Sequence, residues 1–187
     1  MPFLQDNVNL FQKRIPCLIT ESDNEDESKT QNDNDFSGSS VSLSSDGSRV
    51  AIGAEQNGAG GNAAGYVSIY ELQSGTWTKL GNNINGESAD DQSGYSISLS
   101  GNGERIIIGA PFNEGNDTLA SSQNGHSRVY EFDGLAWNQL GSDIDGVSLD
   151  SKCGSSVDMS TDGNLIAVSS PNSNLNGNNS GHTTVYK

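Results

Sequence analysis

Two acidic stretches carry residues that could hold a cation. Asp143-Ile144-Asp145-Gly146 with Asp150 places three carboxylates within eight residues, and Asn83-Ile84-Asn85-Gly86 with Glu87, Asp90 and Asp91 is its counterpart. Carboxylate and amide oxygens are what Ca2+ takes, about six to eight at a time. Two readings stand for these stretches: a calcium site, or an acidic solvated turn around a buried Ile. His126 and His182 offer ring nitrogens for ligation or proton transfer. Gly125-His126-Ser127-Arg128-Val129 begins like a nucleophile elbow but lacks the closing Gly that brings the backbone close at such a turn. The Gly-rich run from Gly58 to Gly65 has no Gly-Lys-Ser/Thr after it, so it does not form a phosphate loop. No residue is nominated as catalytic and no cofactor is required; Ca2+ is the one metal the acids suggest. Asn57, Asn62, Asn113, Asn116, Asp117, Asn174 and Asn176 stand in polar, Gly-rich runs and are candidates for ligand binding. Asn116-Asp117-Thr118 and Asn178-Asn179-Ser180 also read as glycosylation sequons.

Composition narrows the partners. The chain of 187 residues carries Lys+Arg 9 against Asp+Glu 24, a net charge of −15. Nucleic-acid affinity rests on clustered Lys and Arg, so nucleic acid is excluded as a partner, as is an anionic membrane surface. No apolar run is long enough to span a bilayer as a helix. Apolar residues make up 32% and Gly, Ser, Asn and Asp abound, which suits short strands joined by many turns. No 3.6-residue amphipathic run marks a helix. Cys17 and Cys153 have no metal or redox spacing, and whether they pair stays open.

These residues are positioned by a repeat. Gly38, Gly94 and Gly154 are equivalent, 56 and 60 residues apart; so are Tyr70, Tyr130 and Tyr186, and Trp77 and Trp137. His126 and His182 fill the position that Tyr66 takes in the first copy, which favours a structural role for both. Each copy begins with an alternating run, Val41 and Leu43 facing one way and Ser40 and Ser42 the other; period two means a strand. Asp46-Gly47, Asn102-Gly103 or Asp162-Gly163 follows and predicts a two-residue type I′ turn. An apolar run such as Ile106 to Ala110 predicts a strand packed on both faces. A polar connector leads to a third strand starting at Tyr66, His126 or His182, and a short turn leads to a fourth around Trp77 or Trp137. Trp77 and Leu80 would face opposite sides of a flat strand, so the fourth needs a bulge.

The expected fold is all-β: four-stranded antiparallel meanders stacked like β-propeller blades, two full and one partial. The expected division is an N-terminal segment 1–35, with an edge strand at 8–15 and an acidic disordered linker at 21–35, then blades at 36–90 and 91–150 and a partial blade at 151–187. Ser93 to Pro111, SGYSISLSGNGERIIIGAP, resembles an FG-GAP repeat, the unit of integrin α-chain propellers. The opening half of the motif is degenerate at Ser37-Gly38, Ser93-Gly94 and Cys153-Gly154, and Gly-Ala-Pro is intact only at Gly109-Ala110-Pro111. That family often binds Ca2+ in a long loop between strands one and two. The short turns at Asp46, Asn102 and Asp162 supply too few oxygens, so that role is not carried over.

The resemblance implies a non-enzymatic binding or adhesion module, a fragment of a larger cell-surface or extracellular protein. Its long connectors, gathered at one end of the sheets, would meet a protein or glycan ligand, and its open blade edges would allow self-association. A calcium-assisted carbohydrate-binding module and an accessory domain of a hydrolase are the alternatives.

Overall fold

The computed structural model describes residues 35–58, 61–114 and 123–187. The expected edge strand, nearly all of the acidic linker, Cys17, Asn116 and Asp117 lie outside them. The described residues form antiparallel sheets and no helix, so no helix among them is long and apolar enough to cross a membrane. The first sheet holds β1 (Ser40–Leu43), β2 (Arg49–Ala54), β3 (Tyr66–Gln73), β4 (Thr76–Lys79) and β5 (Ile84–Asn85). The second holds β6 (Ser96–Leu99), β7 (Arg105–Ala110), β8 (His126–Phe132), β9 (Trp137–Gln139) and β10 (Ile144–Asp145). The third holds β11 (Val157–Met159), β12 (Ile166–Ser170) and β13 (His182–Tyr186).

Register explains which side chains meet. In the first sheet, Ser40, Gly53 and Val67 form one cross-strand row and Ser42, Ala51 and Ile69 another. Both rows face the second sheet. The alternate rows, Val41–Ile52–Ser68 and Leu43–Val50–Tyr70, face away from it. The second sheet turns its larger rows back toward the first: Ile97–Ile108–Arg128 and Leu99–Ile106–Tyr130. Ala51, Val67, Ile69, Ile84, Leu99, Ile106 and Ile108 thus form one apolar cluster between the sheets. Ile107 points the other way and joins Val157, Met159, Val168 and Cys153 in a second cluster. A central strand apolar on both faces is therefore buried on both faces, as period-independent hydrophobicity implies.

The small residues of the forward rows let the inner strands close up. A Cβ on Gly53 would lie 2.3 Å from the Gly94 carbonyl oxygen, and one on Gly109 would lie 2.1 Å from that of Gly154. Into these contacts the Ser40 hydroxyl donates to the Gly94 carbonyl at 2.6 Å, and the Ser96 hydroxyl to that of Gly154 at 2.7 Å. The hydroxyls of Ser42 and Ser98 accept from the N–H groups of Leu99 and Met159 at 3.0 and 3.1 Å. At the hairpin end, Ser45 N–H donates to the Gly101 carbonyl and Gly101 N–H to that of Thr161, both at 2.8 Å. Parallel bridges Gly65–Ser93 and Gly125–Cys153 tie the sheets at the other end.

Two details depart from the expected pattern. The Asp-Gly hairpins are not type I′: Gly47, Gly103 and Gly163 have positive φ, while Asp46, Asn102 and Asp162 do not. Gly47 N–H donates to the Ser44 carbonyl, and Asp46 Oδ1 accepts from Ser48 N–H at 2.9 Å. The carboxylate thereby stabilises a right-handed turn closed by a left-handed Gly. The type I′ geometry occurs instead at Ser74-Gly75, where both φ angles are positive (51° and 85°) and Gln73 pairs with Thr76. The expected bulge of the fourth strand comes after Leu80 and not between Trp77 and Leu80, which run in regular register opposite Leu72 and Ile69. Leu80 N–H bonds the Ile69 carbonyl and Ile84 pairs with Val67, so Gly81 to Asn83 bulge out opposite Ser68 alone. Leu80 then packs on the apolar cluster beside Trp137, whose indole N–H donates to the Leu80 carbonyl at 2.8 Å.

Gly109→Ala should lower stability by about 1–3 kcal/mol, the usual cost of overpacking, since the Gly154 backbone cannot retreat without breaking the seam. Urea unfolding of the two proteins reads this directly. An unchanged midpoint would mean the sheets are not held at this separation.

Candidate functional site

Among the described residues, one group has metal-ligand geometry: Glu87, His126 and Asp143, with their ligand atoms all within 4.8 Å of one another. Each arrives by a different route. Glu87 lies on the connector from the first sheet to the second, and His126 opens β8. Asp143 is delivered by the second sheet's bulge: Leu140 bonds Val129 and Ile144 pairs with Ser127, so Gly141 to Asp143 all sit opposite Arg128. Strand alternation puts His126 and Arg128 on the face toward the first sheet.

Arg128 fills the centre of the group. Its Nε donates to Asp143 Oδ1 at 2.9 Å and its Nη2 to Asp143 Oδ2 at 2.6 Å, a bidentate pair. Nη2 also makes a short contact with Glu87 Oε2. Asn113 donates to the other Glu87 oxygen at 3.3 Å, and Gln139 donates to Asp143 Oδ1 at 2.7 Å. Burial alone would lower the Arg128 pKa, but its hydrogen bonds to Asp143 and Glu87 outweigh this and raise it. The same Arg128 hydrogen bond holds the Asp143 carboxyl below its ordinary range. His126 is 4% exposed, with Nδ1 4.0 Å from Asp143 Oδ2. Burial first, and the Arg128 charge second, push its pKa down, so the ring is neutral at pH 7.

A metal ion would have to expel the guanidinium or lie against it. The donor set does not fit calcium either, since a buried imidazole and two carboxylates fall short of an oxygen cage. Arg128 is the cation of this site.

The sequence groups acids by proximity along the chain, and the fold regroups them. Glu87 and Asp143 meet across the seam. Asp145 is near enough to His126 to affect its charge balance. Asp90 accepts from Asn62 at 3.2 Å, and Asp150 Oδ1 accepts from Gln123 N–H at 3.0 Å. Asp91 is buried, accepts from Ser88 N–H at 3.0 Å, and has its carboxyl pKa raised by that burial. Of the Asn candidates, the Asn57 carbonyl closes its connector on Gly65 N–H, and Asn113 is the buried partner of Glu87. Asn174 Oδ1 accepts from Asn179 N–H at 2.8 Å, and Asn176 N–H donates to the Ser180 hydroxyl. These side chains and backbones fold the connectors. Sequence reasoning did not single out Arg128 as part of the site. The signal available was its departure from the repeat, since Ser68 and Thr184 take its position elsewhere.

Arg128→Gln should destabilise the protein by about 1–3 kcal/mol, less than a fully buried broken pair because both acids are partly exposed. The same variant should gain a Zn2+- or Ni2+-dependent rise in Tm absent from the wild type, whose Tm should be indifferent to EDTA. Acidification supplies a second check. His126 has a folded pKa below its unfolded value, so stability is full above about pH 6.5 and falls as pH drops toward the lowered value. Asp143, also lowered, adds its loss at more acid pH. His126→Gln should flatten the first part of the Tm–pH curve; an unaltered slope there would contradict the buried neutral imidazole.

No family model matches the chain and no curated protein matches it. Solved structures similar to it include one titled "Crystal structure of the tricorn protease", at TM-score 0.41 and 12% identity, covering 72% of this chain and 11% of that one. The likeness is too slight to carry an argument about fold or activity.

Proposed function

We propose that the chain is a non-enzymatic binding module made of β-propeller-type blades, two full and one partial, as the FG-GAP resemblance implies. Its connector end meets a protein partner with a basic surface, outside the cell or at its surface. Supporting the blade reading are three like sheets stacked face to face with their inner strands drawn close. The observation that carries the binding reading is that the long connectors are hydrogen-bonded to one another. Gln92 N–H donates to the Ala63 carbonyl, Lys152 N–H to that of Gln123, and Asn172 N–H to that of Ser151. The described parts of the connectors make one surface rather than separate loops, and loops tied to a rigid scaffold lose less entropy on binding. Exposed Asp90, Glu114, Asp145 and Asp150 stud it, while its basic groups are already engaged: Arg128 in its ion pairs, Lys152 over the Phe112 ring at 3.8 Å. A surface so charged recruits basic partners by long-range steering.

The non-enzymatic reading rests on the same geometry. His126 and Ser127 point to opposite faces of β8, so the Gly-His-Ser string forms no nucleophile–base pair. His126 itself is buried beside a guanidinium that disfavours its protonation.

Binding to an Arg/Lys-rich peptide, followed by interferometry at rising salt, tests this. Asp90→Asn with Glu114→Gln and Asp150→Asn should weaken it about tenfold or more, whereas Asp46→Asn with Glu104→Gln and Asp162→Asn, an equal charge change at the hairpin end, should not. Equal losses would reduce the effect to net charge and sink the reading. Asn is suited to positions 90 and 150, whose φ angles are 66° and 54°.

A further inference from the structure

The two seams between sheets use the same forward-face parts. Each forward face offers a Ser-X-Ser inner strand (Ser40 and Ser42; Ser96 and Ser98) and a Gly that admits the next carbonyl (Gly53; Gly109). Each also sends an Arg to the next hairpin. Arg49, held by Glu71 at 2.8 Å, donates to the Gly103 carbonyl at 3.3 Å; Arg105, held by Glu131 at 2.8 Å, donates to that of Gly163 at 3.1 Å. The third sheet lacks these parts. Asp158 replaces the second Ser, Leu165 replaces the Arg, and Ser169 replaces the Gly. The Ser169 Cβ occupies the space that a Cβ on Gly109 would share with a carbonyl 2.1 Å away.

The opposite end of the stack presents the complementary face. Val41 and Leu43 are 66% and 61% exposed, although of their equivalents Leu99, Val157 and Met159 are buried and Ile97 is half-buried. Among the described residues nothing lies within 4 Å of a Cβ on Gly47, whereas the equivalent positions in the next two sheets are covered by Arg49 and Arg105.

We propose that this face of the first sheet docks a β-sheet of a partner chain that carries Ser-X-Ser on its inner strand and Arg four residues before Gly on the next, and that the chain's own third sheet is barred from the role. The partner's Ser hydroxyl would meet the Gly38 carbonyl, its Gly would admit that carbonyl, its apolar rows would cover Val41 and Leu43, and its Arg would reach over Gly47. Continuity with the two internal seams specifies each contact. A second copy offers only the Leu165, Ser169 and Asp158 face, so head-to-tail growth of a filament is blocked by sterics and lost hydrogen bonds. The inference is independent of what the connector end binds.

The test uses two full-length chains. One is wild type. The other carries Asp158→Ser, Leu165→Arg and Ser169→Gly on the third sheet, with Val41→Glu and Leu43→Glu closing its first. Light scattering should give 19.6 kDa for each alone and about twice that for the mixture, with Val41→Glu/Leu43→Glu in the first chain abolishing the complex. Self-association of the wild type through this face overturns the proposal in favour of a second copy. A complex seen only after residues 1–34 are removed overturns it in favour of the chain's own N-terminal residues. Two folded chains, checked by circular dichroism, that never associate also overturn it. If the fivefold variant fails to fold, Leu165→Arg/Ser169→Gly alone should convert the monomer into a concentration-dependent ladder; a chain that stays monomeric refutes the inference.

Discussion

The contact on which the architecture depends is a backbone carbonyl resting against a strand that has no side chain at that point. Gly94 over Gly53 and Gly154 over Gly109 bring the inner strands to a separation no Cβ allows. At that separation a serine hydroxyl reaches the neighbouring main chain, and Ser40, Ser42, Ser96 and Ser98 do so. The seam is therefore asymmetric: small polar groups on one side, Ile, Leu, Val and Met on the other. The asymmetry fixes the order of the stack, because a large row meets only a small one. Hydrophobic burial supplies the attraction, and the glycines and serines supply the distance at which it acts.

Charge is distributed around the same seams. Of the few basic residues, the three arginines among the described residues, Arg49, Arg105 and Arg128, each reach from one sheet into its neighbour. Two act at the hairpin end and one at the connector end. The arginine charge is thus spent inside the stack, and the exposed carboxylates of Asp90, Glu114 and Asp150 on the connectors face solvent without it. An acidic surface follows from how the sheets are joined. Arg128 shows the local logic well: a bidentate carboxylate, a second acid from the preceding connector and a buried imidazole all orient on one guanidinium.

Much of this was legible in one dimension. The 56- and 60-residue spacings, the alternation of Val41 and Leu43 with Ser40 and Ser42, and the double-faced Ile106-Ile107-Ile108 run marked strands, order and faces. These are period-two signals, carried by neighbours in the chain. What escaped depends on backbone choices that side-chain identity fixes weakly. Asp46-Gly47 suits either a type I′ turn or a right-handed turn closed by Gly, and the Asp46–Ser48 hydrogen bond decides for the second. The bulge at Gly141 to Asp143 shifts register by residues that no pattern counts, and only that shift sets Asp143 beside Arg128. Glu87 joins them from another repeat, so grouping acids by sequence put each with the wrong companions. Repetition itself held the clue to the site: Arg128 stands where the other copies have Ser68 and Thr184, Asp143 where the first has Asn83, and Glu87 where the second has Val147.

Cys153 lies where the second and third sheets meet, bridged to Gly125, 3% exposed, with its thiol pushed toward the protonated form by burial. A protonated thiol sealed in a joint is chemically silent toward oxidants and alkylating reagents. It becomes reactive only when that joint parts, whether or not the strands themselves unravel. The molecule thus carries a built-in reporter of partial opening, able to distinguish loosening between modules from collapse of the whole chain.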